Sequence, residues 1–245
     1  MKQVFYKIKS NEKIAKDIYK MVLAGDSSAI TAPGQFINIK LDGFYLRRPI
    51  SVYDYDSESV TIIYKTVGEG TYAMSAMEEG VVLDTLTGLG NGFDTSKSGS
   101  TPLLIGGGVG VPPMYNLAKK LISEGKSVSV ILGFNSKDDV FAEKEFEDIG
   151  ARVYVATADG SYKTKGFVTD VMAGLDYSYF YTCGPEPMFR AIDKIAKSSG
   201  QYSFEERMGC GFGACMGCSC KTLTGNKRIC KEGPVLMREE IIWKD

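Results

Sequence analysis

The chain has 245 residues, 44% of them apolar, and 29 lysines and arginines against 30 aspartates and glutamates. A net charge of −1 with no basic block excludes a nucleic-acid footprint, and the absence of any histidine excludes Rieske ligation, zincin chemistry and every Ser-His or Cys-His nucleophile pair. No apolar run approaches the length of a membrane span and the first twenty residues carry no signal-like apolar core, so a cytoplasmic protein without a membrane partner is expected.

A chain of this length accommodates two or three compact units. Residues 1–98 alternate apolar and polar positions in short runs, Val4 to Ile8, Ile18 to Leu23, Phe36 to Leu41 and Ser59 to Tyr64, which predict a small antiparallel β-barrel. Arg48-Pro49-Ile50-Ser51 follows an apolar strand, and Ile63-Tyr64-Lys65 and Gly70-Thr71 come later in the same unit. An arginine can take a pyrophosphate bidentately and a serine hydroxyl can bond a flavin edge, although a surface arginine before a turn proline accounts for the motif equally well. The polar stretch from Thr95 to Ser100 reads as a linker.

Residues 101–200 change period. A buried strand from Pro102 to Ile105 leads into the glycine loop Gly106-Gly107-Gly108-Val109-Gly110 and a helix from Pro113 to Ser123. Strands follow at Val128 to Phe134, Arg152 to Ala156 and Tyr177 to Thr182, with helices at Lys137 to Ile149, around Thr169 to Ala173 and at Met188 to Ala196. That alternation predicts a doubly wound parallel α/β domain. The glycine loop suits a phosphate because bare backbone lets N–H groups approach an anion, although it does not match G-x-G-x-x-G in full and a structural tight turn accounts for it about as well. Cys183-Gly184-Pro185 closes a strand where ligands sit in open α/β sheets, although a buried core cysteine accounts for Cys183 too.

Residues 201–245 hold Cys210, Cys215, Cys218 and, twelve positions on, Cys230. C-x4-C-x2-C with one distant cysteine is the spacing of plant-type [2Fe–2S] proteins, whereas zinc prefers two spaced pairs. Small residues between the thiols let the backbone close over a cluster. Cys220 is an alternative fourth ligand, but a C-x-C pair must bend sharply to bind through both sulfurs. Forty-five residues are too few for an independent core, so a module stapled by its cluster is expected. The fold class is thus a multi-domain α+β protein of barrel, parallel α/β domain and small C-terminal [2Fe–2S] module.

In this order the Arg-Pro-Ile-Ser barrel, the glycine loop with its two prolines, the Cys-Gly-Pro strand end and the cysteine run resemble the ferredoxin reductase superfamily. Within it the chain is similar to the family of electron transfer subunits of NAD-dependent dihydroorotate dehydrogenases. The resemblance implies FAD on Arg48, Pro49, Ile50, Ser51, Ile63, Tyr64, Lys65, Gly70 and Thr71. It also implies a [2Fe–2S] cluster on Cys210, Cys215, Cys218 and Cys230, and NAD, as exchangeable substrate, on Gly106, Gly107, Gly108, Gly110, Cys183, Gly184 and Pro185. Lys65 stands where many relatives have arginine. The implied partner is an FMN-containing dihydroorotate dehydrogenase catalytic subunit of pyrimidine biosynthesis, in a two-plus-two heterotetramer. The same motifs would also serve the reductase component of an oxygenase, which usually carries a complete ferredoxin domain, or a redox-sensing module without turnover.

Overall fold

The computed structural model describes residues 1–243; the last two positions of the expected C-terminal module, 244 and 245, lie outside the described residues. In the first part of the chain the alternating runs become β1 (Lys2–Ala15), β2 (Ile18–Ala24), β3 (Phe36–Ile39), β4 (Arg48–Tyr55), β5 (Ser59–Lys65) and β6 (Val82–Leu89), with the helix α1 (Glu69–Ser75) before β6. They close an antiparallel barrel in the order β1-β2-β5-β4-β3-β6. Tyr6, Ile8, Met21, Leu23, Ile37 and Ile62 fill its interior, as period-2 patterning requires. Arg48-Pro49-Ile50-Ser51 follows the apolar β3 in the chain and itself opens β4, with Pro49 opposite Asn38 of β3. Near a strand start the missing proline N–H is tolerated.

Residues 95–97 form a single 3-10 turn, capped by the Asp94 carboxylate accepting from the Ser96 N–H. The chain then runs through β7 (Pro102–Gly107), α2 (Pro112–Ser123), β8 (Ser129–Phe134), α3 (Glu143–Asp148), β9 (Arg152–Thr157), β10 (Thr164–Lys165), α4 (Val168–Met172), β11 (Tyr179–Cys183), α5 (Glu186–Ile195) and β12 (Gly200–Ser203). These strands lie parallel in the order β10-β9-β8-β7-β11-β12. Leu104, Val130 and Leu132 meet Leu117 of α2 and Phe146 of α3 on one face, while Leu103, Ile105 and Ile131 meet Val168 of α4 and Phe189 of α5 on the other. The sheet is therefore doubly wound.

Three expectations need correction. The helix expected from Lys137 to Ile149 is a 3-10 turn at Lys137–Asp139 followed by the short α3. The Asp139 carboxylate accepts the Ser136 N–H and closes the turn, and Ala142, at φ +61°, has left-handed backbone that no helix continues through. Gly106 and Gly107 belong to β7 rather than to a loop. Finally, the expected division between residues 200 and 201 falls inside β12.

The C-terminal segment supplies the hairpin β13 (Ser219–Thr222) and β14 (Gly225–Arg228), then β15 (Val235–Met237), which pairs antiparallel with β12 as the seventh strand of the sheet. It is fastened at both ends. Asn91, just beyond the barrel, donates its side-chain amide to the carbonyls of Glu232 (3.0 Å) and Val235 (2.8 Å) and accepts the Val235 N–H. Arg238 donates to Asp193 Oδ1 at 2.8 Å and to the carbonyls of Asp193, Ala196 and Ser198 around the end of α5, a favourable place for a cation.

Barrel and sheet share one core: Ile18, Tyr53, Ile63 and Phe93 are buried together with Leu104, Met114 and Leu117. At the seam Tyr53 stacks on Tyr115 with ring centroids 4.4 Å apart, and Asp54 accepts from Lys119 Nζ at 2.8 Å and from Asn116 at 3.0 Å. Because Arg238 satisfies three carbonyls and a carboxylate, Arg238→Ala is expected to lower stability by about 2 kcal/mol, the scale of charge-assisted hydrogen bonds. Arg238→Lys should recover little of the loss in thermal unfolding, since one ammonium cannot reproduce the guanidinium fork.

Candidate functional site

Two cavities open between the barrel and the carboxyl ends of the parallel strands, the place where open α/β sheets take ligands. The larger, of about 600 Å³, is walled by Gly107, Gly108, Gly110, Gly184 and Pro185, with Phe167 and Met188 beyond. Its floor depends on two glycines. A Cβ on Gly110 would stand 2.1 Å from the Cys183 carbonyl oxygen, so the turn and the end of β11 can touch only because that side chain is missing. Gly108, at φ +53°, has nothing within 4 Å of where its Cβ would be, so its backbone faces open space at the entry to α2. Gly106 and Cys183 do not reach this wall. Gly106 packs under Val111, and Cys183 is buried in the core, which pushes its thiol up.

The second cavity is walled by Arg48, Pro49, Ile50, Ser51, Ile63, Tyr64, Lys65 and Thr71, thus by every residue expected to meet FAD except Gly70. Gly70 lies beneath the Arg48 side chain, where a Cβ would come within 2.2 Å of Arg48 Nε. The Arg48 guanidinium also sits 4.8 Å from the centroid of the Phe44 ring and donates to the Leu46 carbonyl. Neither Arg48 nor Lys65 has a carboxylate partner among the described residues, and unpaired cations on a cavity wall suit a phosphate-bearing ligand.

Lys65, Val109 and Glu205 line both cavities, which are therefore neighbours across a shared wall. Glu205 was not evident in the sequence, where Glu205-Glu206-Arg207 has the look of a solvated charge run. Its side chain is exposed where it faces the cavities, and the protein around it disfavours the charged form by desolvation and pushes its carboxyl up. On the far side Phe36, Phe204 and Met208 line the second cavity and also belong to the apolar cluster around Cys218 and Cys230.

The cysteines fall into two pairs. Burial works against the Cys210 thiolate, but the N–H groups of Cys215, Phe212 and Ala214 outweigh it and bring the thiol down to about 6; Ala214 N lies 3.2 Å from the sulfur. Cys218 and Cys230 are buried side by side, the Cys230 N–H donating to Cys218 Sγ at 3.4 Å, and burial together with Cys218 pushes the Cys230 thiol up to about 12. Gly211 and Gly213 take positive φ and curl the loop, while Arg228 pins it by donating to the Gly213 carbonyl at 2.6 Å and pairing with Glu232. No three potential metal ligands form one group among the described residues. Two pairs of sulfurs with backbone N–H groups turned toward them fit a two-iron cluster, one pair to each iron. Cys220 lies on β13, in register with Lys227, and packs against the apolar cluster of Cys218 and Cys230.

A closed flavin-type barrel, a dinucleotide sheet and a paired-cysteine loop define an NAD-linked flavo-iron–sulfur oxidoreductase subunit, with FAD, NAD and a [2Fe–2S] cluster as its cofactors. Residues 205–242 match the iron–sulfur cluster binding domain of dihydroorotate dehydrogenase B, and residues 104–194 match the oxidoreductase NAD-binding domain. The chain is 42% identical over 256 residues to the dihydroorotate dehydrogenase B (NAD(+)) electron transfer subunit of Geobacillus sp. (strain WCH70), covering 99% of both chains. It is 44% identical over 250 residues to that of Fusobacterium nucleatum, covering 96% of both. A solved NADH-dependent reduced ferredoxin-NADP oxidoreductase, described in connection with flavin-based electron bifurcation, superposes with a TM-score of 0.88 at 29% identity, over 97% of this chain and 90% of that one. The chain belongs to the family of dihydroorotate dehydrogenase B (NAD(+)) electron transfer subunits.

Gly108→Leu would meet no neighbouring atom at its Cβ, but at φ +53° the leucine would take strained left-handed backbone, and its side chain would fill the space over the turn. It is expected to impair reduction by NADH while the flavin stays bound, as stopped-flow absorbance would read; flavin loss with NADH reduction intact would assign the turn to the other cofactor.

Proposed function

We propose that this chain passes electrons between NAD and an FMN-containing dihydroorotate dehydrogenase catalytic subunit through FAD and the [2Fe–2S] cluster, in pyrimidine biosynthesis. One observation carries the reading: the dinucleotide cavity, the flavin cavity and the cysteine core form an unbroken series, joined first by Lys65, Val109 and Glu205 and then by Phe36, Phe204 and Met208. When bound, FAD exchanges a hydride pair with the nicotinamide and single electrons with the cluster.

The protein's part is positioning. Arg48 and Lys65 hold the flavin's phosphates, the Ser51 hydroxyl bonds its ring edge, and Ile63, Tyr64, Gly70 and Thr71 complete its bed. Gly107 to Gly110 would take the dinucleotide pyrophosphate on backbone N–H groups, with Gly184 and Pro185 opposite; α2 itself opens on Pro112 and Pro113, which have no N–H to donate. Cys210, Cys215, Cys218 and Cys230 would hold the cluster, which would supply one-electron transfer there. Gly106 and Cys183 act from beneath by keeping the floor close-packed.

The partner's place is argued from exposure. Phe212 is 42% and Met216 53% exposed, both on the ligand loop, and apolar side chains beside a redox centre suit a docking surface. Among the described residues no helix is long and apolar enough to cross a membrane, and we place the complex in the cytoplasm as a two-plus-two heterotetramer.

Anaerobically purified protein should contain FAD with about two irons and two sulfides per chain. Cys230→Ser should bleach the cluster's visible spectrum while Cys220→Ser retains it; the reverse would make Cys220 the fourth ligand. Alone, the chain should reduce dyes with NADH without oxidising dihydroorotate, and co-expression with the catalytic subunit should confer dihydroorotate-dependent NAD reduction. Failure to co-purify, with efficient delivery to an oxygenase instead, would favour an oxygenase reductase.

A further inference from the structure

Asn38 lies in the middle of β3, and it faces away from the barrel interior that Ile37 and Ile39 help to fill. Only 1% exposed, it donates its side-chain amide to the Cys210 carbonyl at 3.3 Å, across 172 residues of sequence. The ligand loop rests directly on it, since a Cβ on Gly211 would come within 2.3 Å of Asn38 Nδ2. In the ladder Asn38 stands opposite Pro49, which walls the flavin cavity. Arg47 ties its strand to β6: it donates to the Asn38 carbonyl at 3.4 Å and to the Asp84 carbonyl at 2.8 Å, and pairs with the Asp84 carboxylate at 3.0 Å.

The contact comes at a cost. Among the described residues Asn38 Oδ1 is buried without a hydrogen-bond partner, and an open buried acceptor disfavours folding by about 1–3 kcal/mol. An apolar side chain there would leave no such open acceptor. The amide is therefore explained by what its nitrogen holds rather than by the space it fills.

We propose that Asn38 is a positioning residue that fixes the iron–sulfur cluster against the flavin, through its hydrogen bond to the backbone of Cys210; this rests on the assignment of Cys210 as a cluster ligand. The step it serves moves one electron from the NADH-reduced flavin to the oxidised cluster. NADH supplies that electron in a hydride pair whose second electron stays on the flavin.

The test uses the whole chain purified anaerobically with its cofactors, as wild type, Asn38→Leu and Asn38→Asp. Leucine removes the donor while keeping the branched outline, with more bulk, and aspartate, close to asparagine in size, turns an acceptor toward the Cys210 carbonyl. With NADH, flavin bleaching should keep its wild-type rate in the variants, while the electron paramagnetic resonance signal of the reduced cluster, followed by freeze-quench, should rise several-fold more slowly. Cluster absorbance should also bleach about tenfold faster under a chelator, the factor expected for one lost buried hydrogen bond, with aspartate worse than leucine. Unchanged signal growth and chelator lability, or equal slowing of both phases, would overturn the positioning role. Wild-type protein without iron and sulfide would overturn the cluster assignment itself, which separates the two failures.

Discussion

The architecture depends on one short strand that is buried on both faces. All four residues of β3 are inaccessible. Ile37 and Ile39 close the barrel, Phe36 stands between the flavin cavity and the apolar cluster of Cys218 and Cys230, and Asn38 touches the ligand loop. Electron transfer between two centres requires that they be close and stay close. A strand hydrogen-bonded on both sides within a closed barrel is among the stiffest supports a chain can offer, because it has no edge to fray.

Elsewhere the same rigidity is reached by different means. The barrel and the sheet meet through a common core and the Asp54–Lys119 pair, so the two cavities keep a fixed relation. The cysteine segment has too little apolar surface to fold on it alone, and it borrows order instead: β15 extends the parallel sheet, Asn91 clamps the chain after Cys230, and Arg238 caps α5. Arg228 and Glu232 add a local clasp on the loop, and the guanidinium holds the Glu232 carboxyl down to about 2. As a group with a depressed folded-state value, Glu232 contributes its stabilisation above the ordinary carboxylate range and loses it only in strong acid.

Glu205 works in the opposite sense. Desolvation raises its carboxyl, so keeping it charged at neutral pH costs stability rather than supplying it. This acid lies on the wall between two cavities. Local rules are broken most often where a site demands it.

Much of this was legible in the residues themselves. The period of two through the first third, the change to strand-helix alternation after Pro102 and the cysteine spacing each follow from backbone geometry or ligand chemistry acting over a few positions, and short-range constraints leave short-range patterns. Helix α3 was overestimated because its acidic, helix-favouring composition does not reveal the left-handed Ala142 that starts it. Only the tertiary structure decided that β12 and β15 complete the parallel sheet, that Cys183 faces the core, that Glu205 is shared between cavities, and that Phe36 and Asn38 join flavin bed to cysteine loop. Those relations link residues as far apart as 38 and 210. They arise from barrel closure and sheet order, which no local period encodes.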